Sequence, residues 1–178
     1  MQYTKAEKAE VTFHIEMEED DKINPSPKYS LSKRKFSFTL PDEVPFEEIH
    51  PDHLALVSIL VCHPFIGRRI VFPKPVSKQF MDANKIVTRY IVENYDEKVS
   101  PWVPSNNSRP ALAFSGGADS TAALALMPAN TAAIFLDRPI PKLQRTLYDK
   151  EAPHIACEKL AEIGYEVMKI ESNFGKDL

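Results

Sequence analysis

Between Glu10 and Leu40 apolar and polar residues tend to alternate. Val11, Phe13 and Ile15 are separated by Thr12 and His14, and Phe36, Phe38 and Leu40 by Ser37 and Thr39. A period of two sends successive side chains to opposite faces, so both stretches are predicted to be half-buried strands. They flank an acidic, Pro-containing loop, Glu16 to Lys28, whose Glu18-Glu19-Asp20-Asp21 run reads as a solvated turn, with a divalent-cation site as the alternative. Asp52 is placed to cap a helix in which Leu54, Leu56, Val57, Ile59, Leu60 and Val61 cover most of the circumference, so that helix is expected to be largely buried and to end at Pro64. Arg69 to Phe72 is predicted as a short strand. Ser77 then opens a second helix, in which Phe80, Ala83, Ile86, Val87, Tyr90, Ile91 and Tyr95 recur at three- and four-residue spacing.

From Ser100 to Pro110 the density of Pro and Asn marks a linker, and a boundary is placed there, with a strand-rich module over 1–104 and a second domain over 105–178. Beyond it the pattern becomes strand Ala111 to Phe114, helix Asp119 to Met127 stopped by Pro128, and strand Thr131 to Leu136. A Pro-rich loop leads to helix Glu151 to Ile163, Gly164 as its C′ residue, and strand Tyr165 to Ile170. Strands alternating with helices imply parallel crossovers, hence an α/β domain with an open, doubly wound parallel sheet. About three strands are too few for such a sheet, so a C-terminal half or a second chain is expected to complete it.

The turn between the first strand and helix of this domain is Ser115-Gly116-Gly117-Ala118-Asp119-Ser120-Thr121. Two successive glycines let backbone N–H groups approach phosphate oxygens, and a helix N-terminus adds partial positive charge. Ser115, Ser120 and Thr121 add hydroxyls, and Asp119 can cap the helix or hold a magnesium ion. A Walker A loop requires Lys after its second Gly, a dinucleotide fingerprint requires G-x-G-x-x-G, and a nucleophile elbow requires Gly where Ala113 stands; none is present. The structural alternative is a Gly-Gly turn that only lets strand and helix pack closely.

Composition changes this picture little. Of 178 residues, 43% are hydrophobic and 26% charged, with a net charge of −3, which gives no electrostatic reason to expect nucleic acid. Cys62 and Cys157 are too far apart for a C-x-x-C motif, and the longest apolar run, Leu54 to Cys62, is too short to span a bilayer, so a cytoplasmic, membrane-free protein is expected. His50 and His53 read as a helix-entry turn rather than a metal site, Arg68 and Arg69 as flanking an edge strand with a phosphate contact as the alternative, and His154 as a surface helix residue.

The Ser-Gly-Gly-x-Asp-Ser run resembles the motif of the PP-loop, or N-type ATP pyrophosphatase, superfamily, over Pro110 to about Ile170. The resemblance implies an enzyme of adenine nucleotide α-hydrolase-like fold that cleaves ATP to AMP and pyrophosphate with magnesium while adenylating a small carboxylate or carbonyl substrate. It implies phosphate binding by Ser115, Gly116, Gly117, Asp119 and Ser120, and adenine binding near Asp137 and Arg138. Those two residues also read as an exposed, salt-bridged loop. A looser resemblance, carried by Pro64 to Arg68, Val76-Ser77, Ser115 to Pro128 and Ile134 to Arg138, is to the ATP-dependent UDP-N-acetylmuramoyl-L-alanyl-L-glutamate epimerase, which implies a role in peptidoglycan precursor synthesis. Alternatives are 7-cyano-7-deazaguanine synthase-like modification of a base or macromolecule, including a defence role, and a non-catalytic nucleotide-binding module. No residue is singled out as a catalytic base.

Overall fold

The computed structural model describes residues 2–5, 10–23, 25–26, 30–31, 33–41, 44–138 and 151–174. These fall into two compact units: residues up to Ser37 with those from 44 to Val103, and Phe38–Pro41 with those from Pro104 onward. Mixed α/β architecture with an open sheet results.

In the first unit, β1 (Gln2–Lys5) pairs antiparallel with β2 (Glu10–His14), Gln2 opposite His14. The alternation at Val11 and Phe13 buries both, and Phe13 stacks on Phe36 of β3 (Lys35–Thr39) with ring centroids 4.6 Å apart. Next come α1 (Pro51–Cys62), β4 (Arg69–Val76), α2 (Lys78–Val87) and β5 (Ile91–Tyr95), with β4 and β5 parallel. Ala55, Ile59, Ile70, Phe72, Met81 and Val92 are among the residues of their common core.

Three expectations are corrected here. The cap of α1 is His50, whose Nδ1 accepts from the Asp52 N–H at 3.2 Å. Asp52 itself turns inward and accepts from the N–H (2.8 Å) and hydroxyl (2.7 Å) of buried Ser77, while the Ser77 hydroxyl accepts from the Phe80 N–H and caps α2. Second, α1 is not covered all round: Leu56 and Leu60 are exposed. Third, α2 stops at Val87. The Thr88 hydroxyl donates to the Asn84 and Tyr90 carbonyls, and the chain leaves as β5, with Ile91 opposite Arg69 and Val92 opposite Ile70. The β-branched pair Ile91-Val92 suits a strand, and a ladder onto β4 outweighs the helical spacing of Tyr90, Ile91 and Tyr95.

The second unit contains β6 (Ala111–Ala113), α3 (Ala118–Leu126), β7 (Ala132–Asp137), α4 (Ala152–Glu162) and β8 (Val167–Ser172). These elements match the expected order, with boundaries displaced by up to two residues. The Pro-rich loop expected between β7 and α4 falls largely on 139–150, outside the described residues. β6 is parallel to β7 (Ala111 opposite Ala132) and β7 to β8 (Ala133 opposite Val167), as the crossover pattern requires. The sheet is nevertheless mixed rather than wholly parallel, because Phe38 and Thr39 pair antiparallel with Ser172 and Glu171 of β8. Antiparallel addition of a distant segment leaves no mark in the local hydrophobic period. Phe114, Ala133 and Phe135 from the strand side form one core with Leu124 of α3 and with Cys157 and Leu160 of α4. Gly164 closes α4 at φ +95°, its N–H donating to the Ala161 carbonyl.

Candidate functional site

At the C-terminal end of β6 the Phe114 N–H still donates to the Ile134 carbonyl at 2.8 Å, and the Phe114 ring is buried in the core. The chain then leaves the sheet. Gly116 takes φ +76°, a conformation open to glycine and strained for other residues. Space also demands glycine there: a Cβ on Gly116 would lie 2.6 Å from Pro153 Cα and 3.5 Å from Ala156 Cβ on α4. The first turn of α4 thus rests against this turn. Gly117 is extended (φ −87°, ψ 169°), and a Cβ there would meet only the Ser115 Oγ, at 3.5 Å.

Gly117 is the N-cap of α3 and supplies no side-chain cap. First-turn N–H groups of a helix have no acceptor within it, so this end presents donors and the positive end of the helix dipole. Asp119 stands exposed in that turn, where a carboxylate suits the dipole. The hydroxyls are already organised: Ser115 Oγ lies 3.1 Å from Ser120 Oγ, Ser120 Oγ donates to the Gly117 carbonyl at 3.0 Å, and Thr121 Oγ1 donates to the same carbonyl at 2.9 Å. Ser115, Gly116, Gly117, Asp119, Ser120 and Thr121 are therefore gathered in one strand-to-helix turn.

Asp137 ends β7, and Arg138 follows it, exposed. The Asp137 Oδ2 lies 3.7 Å from His154 Nε2, and the His154 ring meets Phe135 edge-on with centroids 5.3 Å apart. Both ion-pair partners are about one-third exposed. His154 lies on α4 and is partly exposed, as a surface helix residue would be, but it also meets Asp137. No local signal marks it, because its partner lies on another element and only the β7–α4 crossover brings them together.

The other stretches singled out from sequence serve the first unit. Glu18 takes two hydrogen bonds from the Arg69 Nε and one from Nη2, at 2.7 to 3.0 Å, and Arg69 also reaches Glu93 at 3.1 Å. The Arg69 hydrogen bond holds the Glu18 carboxyl below its usual pKa, and Glu18 in turn raises that of Arg69. Asp21 accepts from the Gly67 and Glu18 N–H groups, both at 2.8 Å. Among the described residues no group of three or more His, Cys, Asp or Glu is arranged to hold a metal ion.

His50 Nε2 lies 2.9 Å from the Ser100 carbonyl, and the His53 ring lies 4.7 Å from Trp102. Burial, then neighbouring His50, lowers the His53 pKa. A cleft of about 460 Å³ in the first unit is lined by Ile15, Leu31, Phe65, Arg69, Phe72 and buried Cys62, whose thiol is pushed up to about 12 by burial; it involves none of the turn residues. Among the described residues no helix is long and apolar enough to cross a membrane.

No protein-family model, curated protein or solved structure matches this chain.

Proposed function

We propose that the turn from Ser115 to Thr121 holds the pyrophosphate part of magnesium ATP, and that the chain belongs to an AMP-forming enzyme that adenylates a small carboxylate-bearing substrate. The carrying observation is the Gly116-Gly117 turn running from the end of a parallel strand into a helix whose N-terminus has no side-chain cap. Such a terminus is an anion site by its free N–H groups and its dipole, and ligands of open α/β sheets collect at the carboxyl ends of the strands. Ser115, Ser120 and Thr121 supply further donors, and Asp119 would share the magnesium with phosphate oxygens.

On this reading the second unit is part of a PP-loop-type sheet, with adenine near Asp137 and Arg138. Splitting ATP between its α and β phosphates leaves negative charge on pyrophosphate, which the turn and magnesium would stabilise as it develops. Adenylating a glutamate carboxyl would acidify the adjacent Cα–H, so epimerisation of a UDP-muramoyl dipeptide is chemically coherent with the site.

The test is incubation of the protein with α-labelled ATP, magnesium and a panel of carboxylates that includes that dipeptide. Substrate-dependent AMP and pyrophosphate are expected; ADP and phosphate would overturn the reaction class. Magnesium ATP binding without AMP release under every condition would favour a nucleotide-binding module instead.

A further inference from the structure

We draw no further inference here: the strongest candidate, the cleft of about 460 Å³ in the first unit lined by Ile15, Leu31, Phe65, Arg69 and Phe72, carries nothing because its carboxylates Glu18 and Asp21 are already tied to Arg69 and to the Gly67 N–H, and nothing in the structure shows what would occupy it.

Discussion

Gly116 and Gly117 are adjacent in sequence but differ in backbone conformation and in the space around them. Gly116 is required by the fold, at φ +76° and with Pro153 where a Cβ would go. Gly116→Ala should destabilise the second unit by about 2 kcal/mol or more, readable by chemical denaturation. Gly117 has an ordinary extended conformation and room for a methyl group, so Gly117→Ala should move the melting temperature little while weakening magnesium pyrophosphate binding. That contrast separates a phosphate cradle from a packing turn; equal binding by Gly117→Ala and wild type would favour the packing turn. Asp119→Asn preserves the capacity of the first turn for local hydrogen bonding and removes the carboxylate proposed to share the magnesium. The expected outcome is a loss of about tenfold in the magnesium-dependent part of ATP affinity at unchanged stability, measured by titration with and without the metal. The Gly-Gly turn was legible from letters alone, because few other demands place two glycines between an apolar strand and a helix. Which glycine carries the backbone strain was not, since that depends on Pro153, thirty-seven positions away from Gly116.

At the level of elements, the join between α1 and α2 is made by a buried carboxylate. Asp52 satisfies both the N–H and the hydroxyl of Ser77, and Ser77 in turn caps α2. Asp52→Ala would strand these buried donors and should cost about 2–4 kcal/mol in the first unit, measured by denaturant unfolding; Asp52→Asn should cost less. Nearby, burial and His50 hold the His53 pKa below its ordinary value of 6.5. The unfolded chain therefore takes up a proton more readily than the folded one. The stability this group contributes is present above the unfolded-chain value and lost as pH falls from there through the folded one. Melts of the first unit between about pH 7.5 and 5 should show that loss, and His53→Gln should flatten it. Helix spacing after Ser77 correctly predicted a helix but extended it eight residues too far, to Tyr95 instead of Val87. Periodicity over so short an apolar stretch cannot separate a helix from a strand that finds a partner, and β4 was that partner.

For the molecule as a whole, a ligand that binds only the native second unit stabilises that unit by mass action, about 2.7 kcal/mol at a hundredfold excess over Kd. Hydrogen exchange with saturating magnesium ATP should therefore slow at the first turn of α3 and the end of β7. Protection confined to residues before Val103 would contradict the placement of the site. The cysteines report on both cores at once. Cys62 and Cys157 are buried in different units, and burial raises the pKa of each thiol. Alkylation at about pH 8 should be slow at both in the native protein and rapid in denaturant, and mass spectrometry resolves the two sites.

The order of strands and helices beyond Pro110, and the turn among them, was determined by the sequence itself. Apolar periods, Gly164 and the Gly-Gly pair are local properties that hold whatever the rest of the chain does. Tertiary structure decided the rest. The antiparallel addition of Phe38 and Thr39 to β8, the exit of the chain from α2 into β5, the inward turn of Asp52 onto Ser77 and the meeting of His154 with Asp137 all join residues far apart in sequence. Each depends on which backbone edges and buried polar groups find partners once the elements pack, and no local pattern of hydrophobic and polar positions records that choice.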